Sequence, residues 1–187
     1  MYRKTLLFDA PFDFDCYCRF IEFDREPRKR FYEPRRKQLK KFVDALQDLE
    51  DGRLELLTIS CPPGVGKTTL ALFFITWVSG RNPNLSTLMG SHSSGILRGM
   101  FSELQRIFQR DGEYNYNEVF PRAPLVNTNS KDLQLDLDRT KRFSTIQMTS
   151  PGASNAGKSR ASNYLYCDDL VEGLETAMSA DRLDKLW

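Results

Sequence analysis

The sequence predicts an α/β fold: a mainly parallel sheet with helices on both faces, plus a β-hairpin. Three observations carry this. Short apolar runs that end at turns alternate along the chain with segments whose apolar residues recur at helical spacing, the pattern of strands joined by crossover helices. One such run, "LELLTIS" (54–60), passes through a glycine turn straight into an apolar helix. Period-two alternation flanks Asp138-Arg139-Thr140-Lys141 in "DLQLDLDRTKRFSTIQMTS", which marks the hairpin. The 187 residues, 40% apolar and 28% charged, suit one globular domain with a sizeable core and argue against a disordered chain.

Taken in order, residues 1–34 mix aromatics with charges and hold three prolines, so an irregular arm is expected there. Pro34 fits the first turn of a helix. "RRKQLKKFVDALQDLEDG" then sets Leu39, Phe42, Val43, Leu46 and Leu49 on one face, and Asp51-Gly52 closes it. The expected division is an arm and entry helix over 1–50 and a core over 51–187. In that core "LELLTIS" reads as a buried strand, and Lys67 to Ser79, apolar nearly all round, as a helix buried against a sheet. "LSTLMGS" (85–91) reads as a second strand, and "SSGILRGMFSELQRIFQRDG" as an amphipathic helix capped by Ser93 or Ser94. Residues 112–129 read as loop, and after the hairpin a polar loop, "PGASNAGKSRASN", leads to "YLYCDD", a short buried strand with acids at its carboxyl end. A helix is expected from Val171.

Net charge is only +2, but "DREPRKRFYEPRRKQLKK" (24–41) carries nine Lys/Arg against three acids. Such a run is either a solvated helix face with its linker or a contact with nucleic-acid phosphates. The cysteines at 16, 18, 61 and 167 and the single His92 lack the spacing of a zinc site. The N-terminus has acids where a signal peptide needs an apolar run, and "TLALFFITWV" is too short to span a bilayer. A soluble, intracellular protein of a reducing cytoplasm is expected, with no membrane partner.

The chemistry concentrates in "ISCPPGVGKTTL" (59–70). The phosphate-loop pattern G-x-x-x-x-G-K-[ST] asks for glycine at its first position, where this chain has Cys61. The rest fits. Backbone N–H groups of a turn over Pro63, Gly64, Val65 and Gly66 make a concave anion site, and the following helix adds its positive end. Lys67 would bridge the outer phosphates, the Thr68 hydroxyl would ligate magnesium, and Thr69 would reach the inner phosphate. Asp168, ending an apolar run, is the carboxylate such a loop needs to hold Mg2+. This pairs a Walker A with a Walker B motif, implies a nucleotide and Mg2+ as ligands, and sharpens the fold to a P-loop NTPase of the ASCE type. The blander reading of Asp168-Asp169 is a pair of acids capping the next helix. For activating water, Asp169 stands beside the metal acid and Glu172 one helical turn on; the spacing leaves both open. His92, in a run of small residues, reads as structural rather than catalytic, and Arg98 and Arg160 as surface residues, the alternative for each arginine being to stabilise charge in a neighbouring subunit's site. "GKSR" (157–160) follows no strand and is set aside.

These residues resemble the N-terminal ATPase region of the large terminase subunit of tailed bacteriophages, over nearly the whole chain. The likeness runs through "FDFDCYCRFIEFDREPRKRFYEPRRKQL", "ISCPPGVGKTTL", "GSHSSGILRGMFSELQRIF" and "ASNYLYCDDLVEGLETAMSADRLDKLW". In that family the phosphate loop often has the form Pro-Pro-Arg-x-Gly-Lys-Ser/Thr, which Pro62 to Thr68 match without glycine at 61; Gly64 stands where many relatives have arginine. The resemblance implies ATP hydrolysis coupled to translocation of double-stranded DNA into a viral prohead in the host cytoplasm. Its implied partners are duplex DNA, a portal protein, a small terminase subunit and further copies of the chain in a ring. It also implies an adenine-reading glutamine, for which Gln38 is the nearest match, and a nuclease domain that this chain lacks, so a truncated ATPase core is expected. Other phosphate-loop proteins fit less well. A kinase should show an arginine-bearing lid after the second strand, and a GTPase an Asn-Lys-x-Asp that "NSKD" (129–132) does not supply. A helicase-loader-like NTPase, and a nucleotide-binding fragment with little turnover of its own, remain alternatives.

Overall fold

A computed structural model describes residues 1–150 and 160–170. Along the chain come helices α1 (Tyr2–Asp9) and α2 (Phe14–Ile21), a 3₁₀ turn (Pro27–Lys29), α3 (Tyr32–Glu50) and α4 (Lys67–Arg81). Strand β1 (Thr87–Gly90), helices α5 (Ser94–Phe108) and α6 (Tyr116–Val119), and strands β2 (Leu125–Asn129), β3 (Gln134–Leu137), β4 (Ile146–Thr149) and β5 (Leu165–Cys167) follow. The chain is therefore α/β. It divides into two compact units, Met1–Arg81 with Leu104–Pro124, and Asn82–Glu103 with Leu125–Trp187. Among the described residues no helix is long and apolar enough to cross a membrane.

The first unit is helical. The arm expected to be irregular instead forms α1 and α2, because its aromatics fall at helical spacing and Asp13 caps the second helix, accepting from the Cys16 N–H at 2.7 Å. Phe14, Tyr17, Phe20 and Ile21 are fully buried on that face. They meet α4, whose Phe73, Phe74, Trp77 and Val78 are buried as its all-round apolar sequence demands. Phe14 packs edge-on to Phe74 at 5.4 Å and against Trp77 at 5.2 Å between ring centroids. Polar tips in this core are satisfied. The Trp77 indole donates to the Ala10 carbonyl at 2.9 Å, and the Tyr17 and Thr76 hydroxyls pair at 2.8 Å.

Most of the basic run is tied up inside this unit. Buried Glu22 accepts from the Phe31 and Tyr32 N–H groups, each at 2.9 Å, at the start of α3, and from Arg25 at 2.7 Å. Arg30 donates to the carbonyls of Arg25 and Phe23. Arg36 grips Asp15 through two nitrogens at 2.8 and 3.0 Å, while the Tyr32 hydroxyl donates to the same carboxylate at 2.5 Å. Burial pushes the Asp15 carboxyl up, but the hydrogen bonds from Arg36 and Tyr32 outweigh it and hold the group below its ordinary value. A carboxyl lowered on folding stabilises above its unfolded-state pKa, and that stability is lost as pH falls through the folded value. Asp15→Asn should therefore cost about 1–2 kcal/mol at neutral pH. The cost should shrink in urea titrations run below the ordinary carboxylate range; a cost that stayed constant there would contradict the ion pair.

The second unit holds a five-stranded sheet in the order β2-β3-β4-β1-β5. It is mixed rather than mainly parallel: β1 runs parallel to β4 and β5, whereas β3 is antiparallel to β2 and β4. The hairpin expected around 138–141 is the β3–β4 pair, with Gln134 opposite Gln147. Residues 125–129, read as loop, pair with β3 instead; they form an edge strand whose three central residues are all exposed, which composition alone does not separate from loop. Met89, Leu135, Leu137, Ile146 and Met148 are buried in this unit, as are Leu97, Met100 and Phe101 of α5. Buried Asp136 is paired, accepting from Asn127 at 3.1 Å and from the Thr145 N–H at 3.3 Å.

Two strand expectations fail in part. Residues 54–60 form no strand among the described residues, and Leu56 is 82% exposed. An apolar run becomes a strand only when another segment offers its backbone, and none of the described ones does so. The run before Asp168 does form β5, but its Leu165 is 63% exposed, so it lies less deeply than its composition suggests.

Candidate functional site

Residues 61–66 make a turn that opens directly into α4 at Lys67. Gly64 (φ +82°) and Gly66 (φ +99°) both adopt backbone conformations that side chains disfavour, which explains why glycine stands at these two places. An arginine at 64 would be strained in this backbone. The Gly66 carbonyl accepts the first helical bond from the Leu70 N–H at 3.0 Å. Lys67, Thr68 and Thr69 thus occupy the first turn of a 15-residue helix, where backbone N–H groups lack intrahelical partners and the helix end is positive. Pro63 and Gly64 are exposed, and Val65 to Thr69 half-buried. The arrangement suits an anion approaching the turn from outside.

One neighbour of this turn has no signal in the sequence. The Phe31 ring lies over Gly66 so closely that a Cβ there would sit 2.3 Å from the ring's Cε2 and 2.7 Å from Cζ. Phe31 packs edge-on to Phe73 at 5.8 Å and carries the Arg35 guanidinium 5.4 Å from its ring centroid. Thirty-five residues of chain (66 − 31) separate ring and glycine, and no local pattern connects them. Gln38 lies on the same helix as Arg35, with its side chain exposed.

The carboxylates belong to the second unit, at the end of β5. Asp168 is 5% exposed and its N–H donates to the Gly90 carbonyl at 2.9 Å, which extends the β1–β5 ladder by one bond. Burial first, then the adjoining Asp168 carboxylate, pushes the Tyr166 hydroxyl above its usual value. Asp169 has φ +46°, a left-handed conformation that aspartate tolerates better than most residues. Its carbonyl accepts from the His92 N–H at 2.9 Å and lies 2.5 Å from His92 Nδ1. His92 therefore joins the end of β1 to the acid pair, matching its structural reading. The turn at Asp169 leaves that residue exposed while Asp168 stays buried. Arg98, on α5, and Arg160 are also exposed. Glu172 lies outside the described residues.

The predicted residues thus gather in two places. Gly64, Gly66, Lys67, Thr68 and Thr69 share one turn and helix start in the first unit; Asp168 and Asp169 share one strand end in the second, where Tyr166 and His92, not predicted as site residues, adjoin them. Among the described residues no three His, Cys, Asp or Glu side chains form a group that could hold a metal ion. A hydroxyl and single carboxylates suit an ion that keeps several waters and is carried chiefly by phosphate oxygens, as Mg2+ is. The chain matches no family model, no curated protein and no solved structure.

Proposed function

We propose that this chain is the ATPase region of a viral DNA-packaging motor, a P-loop NTPase core that hydrolyses ATP to drive double-stranded DNA into a prohead. The observation that carries the nucleotide site is the turn with two positive-φ glycines, Gly64 and Gly66, feeding directly into the N-terminus of a long helix at Lys67. On this reading the backbone from Pro63 to Gly66 wraps the phosphates, and Lys67 places a compact charge against the outer ones. Thr68 and Asp168 would hold Mg2+, which when bound neutralises charge developing on the transferred phosphoryl group. Asp169 or Glu172 would take the proton of the attacking water. Gln38 would face adenine. The motor's remaining partners, a portal protein, a small terminase subunit and further copies of this chain, follow from the family resemblance.

The test is ATP binding by the chain and by Lys67→Ala, followed by titration calorimetry with Mg2+ present. Loss of one charge-assisted contact to phosphate removes about 1.5–3 kcal/mol, so the variant should bind at least tenfold more weakly while circular dichroism still shows it folded. Equal affinities would end the nucleotide reading.

A further inference from the structure

The second unit contains an open cleft of about 640 Å³ that no residue of the proposed ATP site lines. Its cations come from three separate elements: Arg98 from the start of α5, Lys131 from the β2–β3 turn and Arg142 from the β3–β4 loop. Asp132 is the one acid among the lining residues, and it already accepts from the Asn129 amide at 2.8 Å. None of the three cations has an ion-pair partner among the described residues, in contrast to Arg25 and Arg36 of the basic run. Exposed cations that line one cleft without ion-pair partners give it a positive potential that favours an anion from outside.

The cleft is also held in shape. The Asn129 side-chain carbonyl accepts from the N–H groups of Lys131 and Asp132, each at 3.1 Å, which fixes the turn that carries Lys131. Gln134 and Gln147, opposite each other on β3 and β4, both line the cleft. Gln147 is 5% exposed. Side-chain amides lining a cleft carry donors that suit a ligand's oxygens. The aromatic ring in the lining, Phe143, already lies beneath the Arg142 guanidinium, 5.3 Å from its centroid. The guanidinium takes the place of a base on that ring face, and the rest of the polar lining is charge and amide donors.

We propose that this cleft binds the phosphodiester backbone of nucleic acid, with Arg98, Lys131 and Arg142 each pairing with a phosphate and Gln134 and Gln147 donating to backbone oxygens. Three cations presented singly by three elements suit separate phosphates of a polymer, and the open cleft leaves room for a strand that continues past it. The choice of duplex DNA as occupant rests on the packaging reading; the cleft's affinity for phosphodiesters does not.

The experiment is fluorescence anisotropy of a labelled 20-base-pair duplex with the full chain, across a salt series. Wild-type chain should bind, and reversing Arg98, Lys131 and Arg142 to Glu together should weaken binding at least tenfold. Each single reversal should make the dependence of log affinity on log salt shallower by about one. Reversing Arg28, Lys37 and Lys41 in the basic run should leave binding within a factor of two. ATP affinity should be unchanged in the cleft variant, and DNA affinity unchanged in Lys67→Ala, so that the two sites fail separately. Because the three cleft cations are exposed, circular dichroism should show both triple variants folded; neutralising Lys131 and Arg142 to Gln provides a milder version with the same expected direction. The proposal is overturned if wild-type chain does not bind the duplex at low salt, or if the cleft variants bind it as wild type does. It is equally overturned if the basic-run reversal is the one that abolishes binding, or if millimolar inorganic phosphate or ATP displaces the duplex.

Discussion

Replacing Gly80 with alanine should lower the stability of the chain by about 3 kcal/mol. Helix propensity argues the other way, since alanine in a helix interior is favoured over glycine by about 1 kcal/mol. The packing decides the sign. Gly80 lies in the last turns of α4 with the Phe120 ring flat against it: a Cβ there would stand 2.3 Å from Cδ2, 2.6 Å from Cγ and 2.7 Å from Cε2. These atoms belong to the body of the ring, close to the backbone that carries it. Nor can the ring turn away, because Phe120 is 8% exposed and boxed between Tyr17 at 5.9 Å and Tyr116 at 5.5 Å. Relief must come from moving α4 or the segment around 120, which disturbs the aromatic core at Trp77 and Phe14. For a chain of this size such a loss lowers the melting temperature by about 6–12 °C. Phe120→Leu placed in the Gly80→Ala background should recover at least half of it, because the smaller, flexible side chain vacates the contact. A single variant that melts at or above the wild-type temperature would mean that propensity prevails and the ring is not where the structure has it.

That contact also shows where sequence reasoning stops. The buried character of α4 was legible, because "TLALFFITWV" is apolar on every side and only a helix surrounded by protein tolerates that. So were the glycine turn, α3, α5, the β3–β4 hairpin and the strand ahead of Asp168, since each rests on local periodicity or turn chemistry. What was missed depends on distant partners. Residues 54–60 have the composition of a strand, but strand identity is a property of a ladder, and nothing in those seven residues states what they pair with. The prolines of the aromatic arm suggest irregular chain, but they flank the helix Phe14–Ile21, in which Phe14, Tyr17 and Ile21 stand at helical spacing. The basic run invited a nucleic-acid reading, yet Asp15, Glu22 and Glu113 lie outside it in sequence and against it in space. The cations of the cleft, by contrast, come one at a time from 98, 131 and 142, and no window of sequence shows them together.

Gly66→Ala should reduce ATP affinity about a hundredfold, a loss of about 2.7 kcal/mol, and should do so by two routes that a second substitution separates. The backbone at 66 has φ +99°, and holding a residue with a side chain in such a sparsely populated region costs about 1–3 kcal/mol. The added Cβ also meets Phe31, but here it touches Cε2 and Cζ, the far edge of a half-buried ring. That ring can swing outward, at the cost of its edge contact with Phe73 and of the Arg35 guanidinium stacked on it. Steric relief is therefore cheap and backbone strain is not. In the double variant Gly66→Ala with Phe31→Ala, thermal stability should return to that of Phe31→Ala alone within about 1 kcal/mol. Nucleotide affinity should stay low, because the turn must still relax its φ and in doing so rotates the N–H groups of 65–67 away from the phosphate position. Full recovery of ATP binding in the double variant would show that the ring contact, and not the glycine backbone, governs the turn. Unchanged ATP binding in Gly66→Ala alone would remove the nucleotide from this turn altogether, since no phosphate held by these backbone amides could be indifferent to a change in the conformation that aims them.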